Sequence, residues 1–286
     1  MKITDIISRG KPSLSFEVFP PKSSTSFEGV MATTAEIARL APGYMSVTYG
    51  AGGSTDKYTA DIATAIKDMG VTPLAHLSCI TSTREGVREA LSELRARGIE
   101  NILALRGDIP ADRQGEGREY RYASELMRDI SDFGGFCIGG ACYPEGHPES
   151  ENGERDLDAL AAKAECGCAF LTTQMFFDNS IMYNFMYRLM RRGINLPVVP
   201  GIMPVTNAKQ LRRIISISGN ALPQRFVRLI DRYGDRPEAM KQAGIAFATE
   251  QIVDLYANGF NAVHVYSMNN PSVARAIRDN ISDIIA

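Results

Sequence analysis

What most restricts the fold of this 286-residue chain is an alternation, repeated eight times, of short β-prone apolar runs with stretches of helical period. The apolar runs lie at 14–19, 44–49, 73–79, 102–106, 136–143, 170–177, 197–203 and 262–268. Amphipathic stretches follow at 27–40, 55–69, 83–97, 122–133, 157–164, 181–192, 208–217, 237–257 and 273–285. Gly70, Gly98, Gly193 and Gly259 stand where helices should stop, and Ser82-Thr83-Arg84-Glu85 and Thr206-Asn207 read as N-terminal caps. Strict strand–helix alternation requires a parallel sheet, and eight units close most naturally on themselves. The expectation is an α/β protein, a (β/α)₈ TIM barrel in which residues 1–286 form a single domain.

Composition narrows the function classes. Hydrophobic residues make up 44% and charged residues 22%, enough to bury a full core. The net charge of −2 argues against a nucleic-acid footprint. The Arg191-Arg192 and Arg212-Arg213 pairs fall on amphipathic helices and read as solvated faces or as steering for an anionic ligand. Met1-Lys2-Ile3-Thr4-Asp5 lacks the apolar core of a secretory signal, and no apolar run approaches the ~18 residues of a membrane span. A cytoplasmic protein with no membrane partner is expected. The five cysteines suit reduced thiols, Cys166-Gly-Cys168 has the wrong spacing for a zinc knuckle, and the three histidines are scattered, so no metal is expected.

Gly50-Ala51-Gly52-Gly53 lies between a strand and a helix, where a dinucleotide fingerprint would be sought, but the third glycine of that pattern is replaced by Thr55. The chemistry is sought instead at the C-terminal ends of the barrel strands. Those ends carry Glu17, Thr48, Tyr49, His76, Ser78, Arg106, Asp108, Tyr143, Gln174, Asn269 and Asn270. Alternation in Leu14-Ser15-Phe16-Glu17-Val18-Phe19 turns Glu17 into the lumen. Poorly solvated there, its carboxyl is either held ionised by a partner cation or raised in pKa and kept as a proton donor; a structural ion pair is the plain alternative. Arg106 and Asp108 share a face, with Gly107 between them letting a ligand approach the backbone; a salt bridge at the barrel mouth is the plain alternative. His76 reads as either a core histidine or a ligand contact. No Ser-His-Asp order, activated cysteine or Walker-type phosphate loop is present in the chain, which lowers hydrolysis and phosphoryl transfer.

Taken together, Ser15-Phe16-Glu17-Val18-Phe19-Pro20-Pro21-Lys22, Val47-Thr48-Tyr49-Gly50-Ala51, Ala75-His76-Leu77-Ser78-Cys79, Leu105-Arg106-Gly107-Asp108, Tyr143-Pro144-Glu145-Gly146-His147-Pro148, Thr173-Gln174 and Pro200-Gly201-Ile202-Met203-Pro204 resemble the methylenetetrahydrofolate reductases, of the short bacterial type that is the catalytic barrel alone. The resemblance runs in order from the first strand to the last. It implies reduction of 5,10-methylenetetrahydrofolate to 5-methyltetrahydrofolate by bound FAD, with NADH or NADPH as donor in a ping-pong cycle, a role in one-carbon metabolism and methionine biosynthesis, and a homo-oligomer. Glu17 would be the general acid that protonates N10, and Asp108 would tune the flavin and steady the developing cation. FAD would be held by Tyr49, Ala51, His76, Arg106, Gly107, Asp108, Ala123, Tyr143, His147, Asp156 and Lys163, with Arg106 and Lys163 on the pyrophosphate, and Thr48 would contact the nicotinamide cofactor. Gln174, Gln210 and Asn270 would contact folate.

The chain departs from the family pattern in two places. Asn270 stands where many members carry an arginine, and Ala159 and Ala162 stand where polar or basic side chains are expected toward the adenosine. Two other readings keep the barrel: a flavin enzyme fed by a ferredoxin-like or iron–sulfur partner subunit, and a pterin-binding methyl-transfer or folate-binding barrel without redox chemistry.

Overall fold

A computed structural model describes residues 1–21, 26–49, 56–109, 118–209, 211 and 221–286. Nine parallel strands form one sheet: β1 (Ser13–Val18), β2 (Tyr44–Val47), β3 (Thr72–Ser78), β4 (Asn101–Leu105), β5 (Cys137–Cys142), β6 (Cys168–Thr173), β7 (Val198–Val199), β8 (Gly201–Ile202) and β9 (Ala262–Val265). The order β7-β6-β5-β4-β3-β2-β1-β9-β8 begins and ends on strands separated in the chain by Pro200 alone, so the sheet closes into a barrel whose seventh position is one broken strand. The break has a local cause. Proline has no N–H to give the ladder, while its carbonyl still accepts from His264 N at 2.8 Å, so pairing passes from β6 to β9 at that residue. Gly201 N, freed from the ladder, donates to Thr173 Oγ1 at 2.8 Å.

The described helices are α1 (Ile3–Ile7), α2 (Phe27–Ala38), α3 (Asp56–Asp68), α4 (Arg84–Ala96), α5 (Ala123–Phe133), α6 (Gly153–Glu165), α7 (Asn179–Arg191), α8 (Gln224–Tyr233), α9 (Pro237–Ala257) and α10 (Pro271–Asn280). Thr83 caps α4 by accepting from Gly86 N, and Asn207 Oδ1 accepts from Lys209 N, as the cap signals indicate. Most of the helix expected over 208–217 lies outside the described residues. The expectation for α6 began at 157, four residues late, because it passed over Asn152, whose side chain accepts from Glu154 N and Arg155 N. None of the helices among the described residues is long and apolar enough to cross a membrane.

Two of these helices, α1 and α8, do not appear in the sequence reading. Five residues are too few to display helical period, yet α1 sets the floor of the barrel. Ile3 and Ile6 join Tyr44, Leu74, Leu103, Cys137, Phe170, Val199 and Ala262 in a core inside the lumen. Asn101, 1% exposed, staples the plug in place: its Oδ1 accepts from Ile3 N at 2.9 Å and its Nδ2 donates to Met1 O and Pro73 O. A larger core fills the space between the barrel and its helices. A third gathers Met175, Phe177, Met203, Val205, Leu211, Phe226, Met240 and Phe247 beneath α8 and α9. The floor is therefore sealed, and the polar strand ends collect at the opposite mouth.

Candidate active site at the barrel mouth

Glu17 emerges from β1 into the lumen, as the alternation of the strand requires, and pairs in register with Ser46 of β2. Its side chain is 17% exposed, and the nearest basic nitrogen is Nε2 of His76, 3.7 Å from Oε2. Burial pushes the His76 imidazole down to about 3, so it is neutral at physiological pH and forms no ion pair with Glu17. No arginine or lysine stands within ion-pair distance of Glu17 among the described residues. Burial lifts the Glu17 carboxyl to about 8, which decides between the two states left open by the strand pattern: the acid keeps its proton at neutral pH. His76 Nε2 is buried without a hydrogen-bond partner among the described residues, an orphaned polar atom beside that acid.

Below Glu17 lies a polar layer that the sequence reading missed. It took the histidines as scattered, whereas His76 and His264 both point into the lumen and influence each other there. His264 is stacked on Tyr44 at 5.5 Å and meets the edge of Tyr266 at 5.4 Å. Its two ring nitrogens lie 2.8 Å from Ser15 Oγ and 3.0 Å from Ser46 Oγ. Tyr266 reaches across the broken strand to donate to Thr173 O at 2.5 Å, over Gly201, where a Cβ would lie 2.5 Å from the tyrosine oxygen. The strand parity of 262, 264 and 266 was the available signal.

At the end of β4 the structure corrects two expectations. Arg106 does not pair with Asp108; its guanidinium makes a two-pronged ion pair with Glu149, in which Nη2 donates to Oε1 at 2.9 Å, while Asp108 is exposed. Gly107 does not leave room for a ligand on its side-chain face. Its φ is +84°, and a Cβ there would lie 2.0 Å from Ser78 Oγ, a hydroxyl that donates to Arg106 O. The glycine is demanded by backbone conformation and by Ser78.

A third group of groups lines the β5–α6 side. Tyr143 and His147 meet edge to face at 4.5 Å. Asp156, in the first turn of α6, is 8% exposed, and burial raises its carboxyl, opposed by Lys163. Lys163 Nζ donates to Ala141 O at 2.6 Å, and burial lowers its pKa. No carboxylate lies within ion-pair distance of Lys163 among the described residues. A desolvated ammonium with a carbonyl as its partner suits an incoming anion.

The remaining candidates sit around this mouth with less to hold them. Thr48 follows β2, its N–H bonded to Val18 O at 3.0 Å, and Tyr49 packs half-buried against the outer core. Ala123 opens α5 and is buried. Gln174 follows β6, with its Oε1 accepting from Met175 N at 3.0 Å. Asn270 is drawn away from the site: its Oδ1 caps α10, accepting from Val273 N and Ser272 Oγ. Its neighbour Asn269 instead bonds both backbone groups of Phe19, tying the end of β1 to the end of β9. Ala51 and Gln210 lie outside the described residues.

The methylenetetrahydrofolate reductase family model matches residues 2–282. Similar proteins include the 5,10-methylenetetrahydrofolate reductase of Pectobacterium carotovorum subsp. carotovorum, 34% identical over 270 residues, which cover 94% of this chain and 90% of that protein. The enzyme of the same name from Escherichia coli K12 is 33% identical over the same shares. Methylenetetrahydrofolate reductase (NADH) 1 of Arabidopsis thaliana is 33% identical over 98% of this chain, which spans 50% of the plant protein. Among solved structures, an uncharacterized Clostridium thermocellum protein that binds two copies of 5-methyl-5,6,7,8-tetrahydrofolic acid superposes with a TM-score of 0.68 over 99% of this chain and 100% of its own. At 12% identity that likeness bears on the fold alone.

Proposed function

The chain belongs to the methylenetetrahydrofolate reductase family, and from that premise we propose that it reduces 5,10-methylenetetrahydrofolate to 5-methyltetrahydrofolate, with FAD bound at the barrel mouth and NADH or NADPH as electron source. The observation that carries this reading is the Glu17 carboxyl, which keeps its proton at neutral pH at the open end of the lumen, with a neutral His76 beside it.

Opening the five-membered ring of the substrate requires a proton on N10, so that the bond from N10 to the one-carbon unit can break and leave a cation delocalised onto N5. Glu17 supplies that proton and becomes a carboxylate. A general acid works best when its pKa lies near the working pH, as about 8 does. Asp108, exposed at the end of β4, places negative charge at the mouth where the cation develops. Gln174 offers an amide at the end of β6 for the pterin and, in turn, for nicotinamide, and Thr48 does the same from β2. Because one mouth receives both partners, they are expected to bind in alternation.

FAD, when bound, supplies the hydride chemistry. The residues fit such a group: Lys163 is a partly buried cation with no carboxylate within ion-pair distance among the described residues, and His76 presents a buried nitrogen without a hydrogen-bond partner among them. Arg106, Gly107, Tyr143, His147 and Asp156 line the same side, with Tyr49 and Ala123 beyond them. Arg106 can take phosphate oxygens in the two-pronged geometry it now uses with Glu149. The five cysteines, all free and buried, suit the reducing cytoplasm in which we place the protein.

The test is the visible spectrum of the purified protein before and after anaerobic NADH, followed by methylenetetrahydrofolate. Flavin bands that bleach with NADH and return with folate support the reading. Bands unmoved by NADH point to a protein electron donor, and a colourless protein returns the barrel to non-redox folate binding.

A further inference from the structure

We propose that His264 is a positioning residue for Glu17: fixed by Ser15 as the Nδ1–H tautomer, it takes the proton of the Ser46 hydroxyl and so denies the Glu17 carboxylate a donor. The inference rests on the reading of Glu17 as the proton donor of the site.

The polarity follows from counting protons. A serine hydroxyl has one proton to give. Ser15 Oγ lies 3.1 Å from Val263 O and 2.8 Å from His264 Nδ1. A carbonyl can only accept, so the Ser15 proton goes to Val263 and Ser15 offers His264 a lone pair. Nδ1 must then carry hydrogen. The ring is 2% exposed and burial keeps it neutral, so Nε2 is bare. What faces Nε2 is Ser46 Oγ, at 3.0 Å, and a bare nitrogen in that position is satisfied by the hydroxyl proton.

Ser46 is also the register neighbour of Glu17, close enough that a hydrogen bond given by its hydroxyl would lower the carboxyl against the larger, raising effect of burial. A Ser46 that donated to Glu17 would favour the carboxylate; one whose proton is committed to His264 presents lone pairs and favours the acid. The other titratable groups acting on Glu17 repeat the pattern. Tyr266 spends its proton on Thr173 O, the Tyr44 hydroxyl interacts with Ser15 and Thr172, and His76 Nε2 has no hydrogen-bond partner among the described residues. The carbonyl of Val263, on the strand beside Glu17, thus determines through three side chains which protonation state the lumen stabilises.

Nitrogen NMR of histidine-labelled protein near pH 7, with the His264 signals assigned by their loss in His264→Gln, reads the tautomer directly. Nδ1–H is expected, and Nε2–H would overturn the proposal. Titration of Glu17 by carboxyl carbon NMR gives the second reading. Ser46→Ala removes the hydroxyl lone pairs and should lower its midpoint, and a rise would mean that Ser46 donates to the carboxylate, sinking the idea. Ser15→Ala frees the ring to turn its tautomer over, and should lower the midpoint by about one unit, a tenfold change in ionisation, with Ser15→Thr restoring it; an unchanged midpoint in Ser15→Ala would also count against the proposal. No measurement requires turnover, so a protein that failed to reduce folate would leave these results standing, and the reverse holds as well.

Discussion

At Glu17 the proton proposed for catalysis also bears on stability. Its carboxyl titrates near 4.5 when solvated and near 8 in the fold, so between those values the folded state holds a proton that the unfolded state has released. Stability is therefore lost as pH rises through that window, by a sum of the order of 4 kcal/mol. Glu17→Gln, which carries no such proton, should be more stable than the parent at pH 8.5 and nearly equal to it at pH 5, as read by urea unfolding at both values. The same variant is expected to keep its flavin reducible by NADH while losing folate reduction; wild-type turnover would refute the role as acid. The two lumen histidines act in the opposite sense. Both are pushed down to about 3 from 6.5, so they withdraw stability as pH falls below 6.5. A stability maximum near pH 6 to 7 is expected, and His264→Gln should soften the acid side of the curve.

At the scale of single elements, the ends of strands are where the backbone itself is constrained. Gly107 terminates β4 with a φ of +84° and has Ser78 Oγ where a Cβ would go. Gly107→Ala should cost about 1–3 kcal/mol and disturb Arg106 and Asp108 on either side, visible as a lowered Tm together with weakened flavin retention. Asn152 caps α6, the helix that carries Asp156 and Lys163, through two backbone N–H groups. Asn152→Ala should cost roughly 1 kcal/mol and loosen FAD more than folate, measured as separate affinities; equal losses would argue that α6 does not serve the cofactor. Asn270 spends its oxygen on the cap of α10, so in this chain the position serves the helix.

For the molecule as a whole, the barrel is a tube stoppered at one end and chemically furnished at the other. Ile3→Ala in the stopper should cost about 2–4 kcal/mol as a cavity in the lumen core, with activity retained below the shifted melting temperature because the mouth lies at the far end. The eight strand positions, the parallel order and the lumen-facing parity of Glu17 were legible in the sequence, since period two and period 3.6 are local properties of consecutive residues and eight such units have few ways to close; the break of the seventh at Pro200 was not. Helices α1 and α8 were not: the first is too short to show a period, and α8 (224–233) was passed over between the helices expected at 208–217 and 237–257. Nor could the chain alone say that Arg106 meets Glu149, that Asn269 holds Phe19, or that Ser15, Ser46, His76 and His264 surround Glu17. Apart from Ser15, on the strand of Glu17 itself, these partners lie on other elements and meet only through tertiary pairing, Arg106 and Glu149 being 43 positions apart and Asn269 and Phe19 250. The pKa of Glu17 belongs with them, because its shift depends on how completely the closed lumen strips water and cations from the carboxyl, and desolvation is a property of the assembled enclosure.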